Sequence, residues 1–324
     1  MRRHLLLLLK VAISLLLLYL SLRSVDLSTM AERLNRLDVG WIAAALALLA
    51  VQVVLQALRW RAIAGVGGIA LAVPSAVQIS FIATFFNQVL PSTVGGDAAR
   101  IWLLARKGAG WAGATYSVLI DRIAGVLVLA LIVIACLPWT MTLIQDPLAR
   151  AVLILIGGGA VAGAIVFLAI GQLPARLFNR FMLTRHLAET SRMAWRLCRS
   201  RPAAATVAVC SVAIHLLTVA VAWCCMQAVA APVGFASILF LMPPVLLIAT
   251  VPISIAGWGV RESSMVVAFA YAGLAQSDGL MLSILFGAVS FALGIVGGLV
   301  WIASGIKIGS LAQPREAQAV ADKP

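Results

Sequence analysis

Two short segments of this chain place charged residues and backbone breakers beside long apolar runs. The first reads Leu90-Pro91-Ser92-Thr93-Val94-Gly95-Gly96-Asp97-Ala98-Ala99-Arg100, and the second reads Pro252-Ile253-Ser254-Ile255-Ala256-Gly257-Trp258-Gly259-Val260-Arg261-Glu262. Broken backbone with charges at membrane depth is tolerated only where protein buries it or where it lines a wet cavity. Such breaks in corresponding positions of two halves are a sequence sign of a substrate site in membrane transport proteins.

The first segment has the groups that an anionic ligand would need. Asn87 and Gln88 end an apolar helix, and the Gly95-Gly96 pair frees the backbone so that its N–H groups can face a ligand. Asp97 stands where a helix N-cap is expected. The N-terminus of the following helix would favour a phosphate, and Arg100 can add a bidentate contact. The structural alternative is a buried helix cap in which Asp97 pairs with Arg100 and holds the break closed.

The second segment ends in an adjacent acid and arginine. Neighbouring residues on a helix point in different directions, so Arg261 and Glu262 are not expected to satisfy each other. We therefore predict pairing across the two segments, with Asp97 meeting Arg261 and Arg100 meeting Glu262.

A third charged pair, Asp121-Arg122, lies inside an apolar run. Arg122 can extend towards the headgroups of the inner leaflet, whereas Asp121 needs a partner. Asp121 is either a cavity residue or a member of a structural ion pair. The candidate substrate-binding and translocation residues are Asn87, Gln88, Pro91, Ser92, Thr93, Gly95, Gly96, Asp97, Arg100, Asp121, Arg122, Ser254, Gly257, Trp258, Gly259, Arg261 and Glu262.

Composition identifies a membrane protein. Hydrophobic residues make up 63% of the 324 residues, charged residues make up 11%, and the mean hydropathy is +1.08. Soluble domains carry about 25% charged residues. The net charge of +13 lies mostly in loops, which favours the positive-inside pattern over nucleic-acid binding. It also predicts attraction to anionic lipid headgroups.

Apolar runs and loop charges together predict the topology. The expected full spans are 4–22, 39–58, 112–137, 148–170, 203–229 and 280–304. Arg2 and Arg3 place the N-terminus inside, where the first span is an uncleaved signal anchor, and Arg59 and Arg61 place the following loop inside. Both termini are therefore predicted to be cytoplasmic.

Two further stretches are each made of two apolar pieces that are too short to be ordinary spans, 75–90 with 98–106 and 236–251 with 262–276. Residues 75–106 have basic residues on both flanks, and residues 236–276 have none on either flank. Each stretch is predicted to be a re-entrant helical hairpin, and the two enter from opposite faces. The fold class is an all-α, polytopic membrane protein with about six full spans and two hairpins in an inverted-repeat-like arrangement. The alternative has eight or more ordinary spans, with 75–97 and 236–256 crossing fully.

The longest hydrophilic stretch is the basic loop at 171–202. Leu173, Leu177, Phe181 and Leu187 recur among its arginines near helical spacing, which predicts an amphipathic helix on the inner leaflet. A solvated basic connector is the alternative. We expect one membrane-embedded domain at 1–309 and a disordered cytoplasmic tail at 310–324.

No signature of an enzyme, metal site or cofactor site is evident. The sequence has no H-E-x-x-H, P-loop or G-x-S-x-G motif, and its five cysteines form no C-x-x-C pair. The cysteines are interpreted as buried small hydrophobes. His215, inside an apolar run, is a packing residue or a proton relay.

The two segments at 90–100 and 252–262, together with Asp121-Arg122, resemble the lysylphosphatidylglycerol synthase transmembrane region family, also called flippase-like membrane proteins. The resemblance covers nearly the whole chain. It implies an inner-membrane protein that moves an anionic or lipid-linked substrate between leaflets. In multiple peptide resistance factors a similar region precedes a cytosolic aminoacyl-transferase domain. The sequence here has no such domain, so we expect no synthesis of lysylphosphatidylglycerol.

Three functions follow as hypotheses. The first is a flippase-like transporter whose partners are membrane lipids with anionic or lipid-linked headgroups. The second is a non-transporting scaffold that binds a lipid-modifying enzyme or glycosyltransferase through the 171–202 loop. The third is a membrane-embedded lipid-group transferase, for which Asp97 or His215 would supply the nucleophile or base.

Overall fold

The protein is a bundle of helices. The computed structural model describes residues 16–17, 19–23, 27–90, 94–144, 146–174, 178, 182–250 and 259–306, and these contain no β-strand. The helices are α1 (Leu27–Leu34), α2 (Val39–Val66), α3 (Val73–Val89), α4 (Gly95–Leu104), α5 (Trp111–Leu143), α6 (Pro147–Ile170), α7 (Met182–Arg199), α8 (Arg201–Ala228), α9 (Phe235–Ala249), α10 (Val260–Tyr271) and α11 (Gln276–Ala303). A π-helical turn, Ala105–Ala109, follows α4.

Within the described residues, five helices are long and apolar enough to cross a membrane, namely α2, α5, α6, α8 and α11. They confirm five of the six predicted spans. The predicted first span at 4–22 and the tail at 310–324 lie mostly or entirely outside the described residues. The division into a domain at 1–309 and a tail stays a prediction.

The two stretches predicted to be hairpins each form a pair of short, mutually packed helices. The arms α3 and α4 have 17 and 10 residues, and the arms α9 and α10 have 15 and 12 residues. At 1.5 Å per residue even the longest arm is about 26 Å, less than the roughly 30 Å of hydrocarbon that a span must cross. We call α3–α4 hairpin 1 and α9–α10 hairpin 2.

Helix α11 shows that the two hairpins enter from opposite ends of the bundle. It runs antiparallel to α3, since Gly294 lies against Gln88 while Gly297, further along α11, lies against Phe81. The Trp301 ring, near the end of α11, lies 5.0 Å from the Phe86 ring. Ile69 and Leu71, which precede α3, lie in the apolar cluster that contains Trp301. At its other end α11 packs on α10, where Gly279 lies against Phe269. Hairpin 1 therefore opens towards the C-terminal end of α11, and hairpin 2 towards its N-terminal end.

These contacts define two faces of the bundle. The basic face comprises residues 66–73, 104–111, helix α7 and the start of α8. The opposite face comprises α1, the segment before α9 and the start of α11, and there Arg33 forms an ion pair with Asp278. The described basic residues of the basic face are Arg106, Lys107, Arg185, Arg192, Arg196, Arg199 and Arg201. The separation of charge agrees with the predicted loop pattern.

Helix α7 lies within the predicted amphipathic stretch, but its apolar stripe differs from the predicted one. Its buried face includes Met193, Ala194 and Leu197, which pack on Ile63 and Val207 of the spans. Of the four residues predicted to form the stripe, Leu173 and Leu187 are 45% and 42% exposed, whereas Leu177 and Phe181 lie outside the described residues. The apolar face of α7 therefore packs against the ends of the spans.

Candidate functional site

Glycines at the tip of hairpin 1 allow its two arms to cross closely. A Cβ on Gly95 would lie 2.5 Å from the carbonyl oxygen of Phe86, and one on Gly96 would overlap the carbonyl oxygen of Ala83. The N–H of Gly96 donates to Asn87 Oδ1 at 2.8 Å. The glycine pair is thus the first turn of α4, packed on α3. The Gly96 N–H is therefore bonded to α3 and does not face a ligand, contrary to the prediction for this group.

Asp97 lies in the first turn of α4 and is not its N-cap, since the helix begins at Gly95 and Val94 occupies the cap position. This corrects the predicted role. The Asp97 carboxylate accepts from Arg122 Nε at 2.6 Å and lies 3.5 Å from Arg100 Nη1. The structural alternative of an Asp97–Arg100 pair is therefore present, as the weaker of the two contacts.

Asp121 is the centre of the same group of charges. Its two carboxylate oxygens accept from Arg59 Nε and from Arg100 Nη2, each at 2.8 Å. Arg59 also donates to Ser211 at 3.1 Å, and the Arg100 guanidinium lies 4.3 Å from the centre of the Trp60 ring. We call the group the tip-1 cluster; its members are Arg59, Asp97, Arg100, Asp121 and Arg122.

Burial divides the tip-1 cluster into a fixed part and an accessible part. Arg59, Asp97, Arg100 and Asp121 are at most 6% exposed. The Arg122 side chain is 47% exposed. The five side chains carry three positive charges and two negative charges, so the cluster has one excess positive charge. Removing one partner of a buried ion pair strongly destabilises the folded protein, because the other charge is left buried and unpaired.

The cluster lies near the hydrocarbon boundary of the basic side. Helix α5 has 33 residues, about 50 Å, which exceeds the roughly 30 Å of hydrocarbon by about 10 Å at each end if the helix is centred. Asp121 comes ten residues after the start of α5 at Trp111, about 15 Å along the axis. It therefore lies about 5 Å inside the hydrocarbon. That Arg122 reaches towards headgroups stays a prediction, since the contact described for its side chain is with Asp97.

The tip of hairpin 2 has its own polar group, which we call the tip-2 cluster: Gly259, Arg261, Glu262 and Ser283. Glu262 is fully buried, and it accepts from Gly259 N at 2.6 Å and from Ser283 Oγ at 2.8 Å. Arg261 donates to Glu262 Oε1 and to Ser283 Oγ, each at 2.8 Å. Gly259 has φ of +86°, a conformation that favours glycine.

Two predictions about pairing are wrong. Arg261 and Glu262 do satisfy each other, because Ser283 of α11 lies between their side chains and draws both to one side. The pairs Asp97–Arg261 and Arg100–Glu262 do not form. Gln88 lies level with Gly294 and Arg261 with Ser283, so the tips are about 16 Å apart along α11.

The remaining candidates separate into two groups. The Gln88 side chain packs against Gly294 of α11. Pro91, Ser92, Thr93, Ser254, Gly257 and Trp258 lie outside the described residues. His215 Nε2 lies 3.0 Å from the carbonyl oxygen of Gly125, a contact that suits the packing role.

Sequence reasoning missed Arg59, Ser211 and Ser283. Arg59 was interpreted as a loop charge because the predicted span stopped at residue 58. Helix α2 instead continues to Val66, and the apolar residues Ala62, Ile63 and Ala64 after Arg61 are the signal that marks Arg59 as embedded. No local signal singles out Ser211 or Ser283, since only the packing of distant helices selects them.

Among the described residues, no group of histidine, cysteine, aspartate and glutamate is arranged to hold a metal ion. The tip-1 cluster instead combines one excess positive charge with a half-exposed guanidinium, the type of group that contacts anions such as phosphate in proteins.

The comparisons with known proteins agree with this architecture. The family model for the lysylphosphatidylglycerol synthase TM region matches residues 7–298. No curated protein and no solved structure matches the chain. The matched span covers every helix from α1 to α10, both clusters and most of α11. The chain therefore belongs to the lysylphosphatidylglycerol synthase transmembrane region family.

Proposed function

We propose that this protein moves an anionic phospholipid or lipid-linked substrate between the leaflets of a bacterial inner membrane. The observation that carries the proposal is the tip-1 cluster, in which buried charges lie beside a half-exposed arginine near the hydrocarbon boundary. Charged groups inside a membrane are costly and usually functional. The family's transmembrane region supports a role in lipid handling.

Within the cluster, Arg122 is the residue that contacts substrate. Its partner Asp97 is 8% exposed in its side chain, so a lipid phosphate that approaches from the membrane can compete with the Asp97 carboxylate for the guanidinium. Arg100 stays in place because Asp121 and the Trp60 ring hold it. The excess positive charge favours a phosphate over a neutral headgroup.

Hairpin 2 offers a complementary environment for lipid on the opposite face. An apolar groove of about 350 Å³ lies between α6 and the arms of hairpin 2, lined by Leu148, Val152, Phe240, Pro244 and Val267. The groove suits an acyl chain, and Ser263 and Ser264 add hydroxyl groups to its wall. A substrate would thus meet one hairpin tip in each leaflet, as expected for inverted repeats.

The proposal includes the orientation of the protein in the membrane. The basic face is cytoplasmic by the positive-inside rule, and both chain termini are cytoplasmic. We further propose that the region transports or scaffolds and does not catalyse, since the matched family describes a transmembrane region and the sequence has no catalytic motif.

Lipid translocation in proteoliposomes tests the proposal. Fluorescent phosphatidylglycerol is scored by quenching from the outer leaflet, in wild type, Arg122→Gln and Arg185→Gln. Arg185 is an exposed arginine of α7, so its variant removes the same charge away from the tip-1 cluster. We expect protein-dependent movement that falls at least tenfold in Arg122→Gln and is unchanged in Arg185→Gln. Absence of movement with anionic and lipid-linked probes would overturn the proposal.

A scaffold is the second candidate, and the surface of α7 favours it. Met182 and Leu183 are 73% and 80% exposed beside the arginines of the basic face. Exposed apolar residues with basic neighbours suit an acidic protein partner or the membrane surface. The scaffold predicts that Leu183→Ser and Arg185→Gln impair function in cells while Arg122→Gln does not.

A further inference from the structure

A second apolar groove lies between α5 and α6, on the basic side of the membrane. Its volume is about 330 Å³, at the lower end of the roughly 300–1,000 Å³ of small-molecule sites. Helix α5 contributes Ile123, Val126 and Leu127 to its walls, and α6 contributes Ala160, Gly163, Ala164 and Phe167. One charged residue, Arg122, lines it.

The groove has a polar end and an apolar end. Helix α6 ends at the basic face, where Ser191 of α7 donates to the carbonyl oxygen of Phe167. Arg122 and Phe167 therefore mark the end nearer the basic face, and Leu127 and Ala160 mark the end nearer the membrane centre. This order of charge and then hydrocarbon matches a phospholipid that stands in the leaflet of the basic face.

We propose that this groove binds one acyl chain of an anionic phospholipid while Arg122 binds the lipid's phosphate. The occupant follows from charge complementarity, because among the described residues of the groove wall the one formal charge is positive and belongs to a cluster with excess positive charge. The half-exposed guanidinium can reach a phosphate near the headgroup level, and the aliphatic wall then takes the chain. The inference rests on the proposed function in that it assigns the lipid's binding position before it moves.

The wall of α6 has room for the chain at Gly163. A Cβ added there would meet no atom within 4 Å. Gly158 is equally open and exposed, but it lies about 200° around the helix from Ala160, away from the groove. The two glycines therefore provide a matched pair, in which Gly163→Leu fills the groove and Gly158→Leu adds the same side chain elsewhere.

Binding of phosphatidylglycerol to purified protein in detergent is the test. The amount of radiolabelled phosphatidylglycerol retained at equilibrium is measured for wild type, the two glycine variants, Arg122→Gln and Arg185→Gln, with phosphatidylcholine as the neutral lipid. We expect Gly163→Leu to weaken phosphatidylglycerol binding about tenfold and Gly158→Leu to leave it unchanged. Arg122→Gln should remove the preference over phosphatidylcholine, whereas Arg185→Gln should retain it.

Equal binding by Gly163→Leu and Gly158→Leu would contradict binding of the acyl chain in the groove. An unchanged lipid preference in Arg122→Gln would contradict the contact between Arg122 and the phosphate. A photoreactive group at the end of the acyl chain gives a second readout, with crosslinks expected on the peptides that contain Val126 and Ala160. Binding without translocation would leave this inference standing and reject the transport proposal. Translocation without binding at the groove would support the transport proposal and reject this inference.

Discussion

Arg100 and Asp121 form an ion pair of 2.8 Å in which neither side chain is more than 2% exposed. The pair joins the tip of hairpin 1 to span α5. Asp121 also holds Arg59 of span α2, so a single carboxylate fixes three helices. The hairpin is therefore positioned by a charge contact inside the bundle as well as by apolar packing.

Removing the charge of Asp121 should be strongly destabilising. Asp121→Asn leaves two buried arginines without their common partner, and loss of one member of a buried ion pair costs about 3–5 kcal/mol. Denaturant titration in a mild detergent measures the change in the free energy of unfolding. Glu189→Gln is the control, since Glu189 and Arg192 form a partly exposed pair near the surface, and such pairs contribute about 0–1 kcal/mol. Equal losses in the two variants would contradict the central role of Asp121.

The crossing of α3 and α4 should be intolerant of a single methyl group. Gly96→Ala places a Cβ against the backbone oxygen of Ala83, which cannot move without shifting α3. Overpacking of this kind costs about 1–3 kcal/mol. In Gly65→Ala, the added Cβ meets no atom within 4 Å, and alanine should stabilise that helix by about 0.5–1 kcal/mol. The same titration measures both, and a stabilising Gly96→Ala would show that the arms are not in close contact.

The sequence predicted the spans and hairpins because both follow from the length of apolar runs. A run must cover the hydrocarbon to cross it, and the arms at 75–106 and 236–276 are too short. The pairing of charges was not predictable in this way. Arg59 and Asp121 are 62 residues apart, and their contact depends on how α2 crosses α5.

One contact of the tip-2 cluster could have been predicted from the sequence. Glu262 accepts from the backbone of Gly259, three residues earlier, which is the spacing of an acidic side chain that caps its own helix. The prediction for Arg261 and Glu262 failed because it considered the helix alone. Ser283 comes from α11 and bonds to both side chains, and the sequence of α10 does not reveal it.

Ser283 and Glu262 should be energetically coupled. Ser283→Ala removes the hydroxyl that both Arg261 and Glu262 contact, and hydrogen bonds to charged groups contribute about 1.5–3 kcal/mol. In Glu262→Gln the same hydroxyl faces a neutral amide, so the second substitution should cost less. A double-mutant cycle by denaturant titration should give a coupling of about 0.5–3 kcal/mol. The pair Ser283→Ala with Glu189→Gln serves as the distant control, and additivity in both cycles would contradict a shared network.

The opposite directions of the two hairpins predict opposite labelling by a membrane-impermeant maleimide. Lys107 lies at the open end of hairpin 1, and Gly234 lies at the open end of hairpin 2; both are exposed. In a background with the five native cysteines replaced, Lys107→Cys should react only in inside-out vesicles, and Gly234→Cys should react in intact spheroplasts. Restoring Cys198 alone gives the control, because this exposed residue of α7 lies on the basic face and should label with Lys107→Cys. If Lys107→Cys and Gly234→Cys react from the same side, the hairpins do not enter from opposite leaflets, and a substrate path with one tip in each leaflet is rejected. If they react from opposite sides but reversed, the two-tip path stands and the basic face is periplasmic.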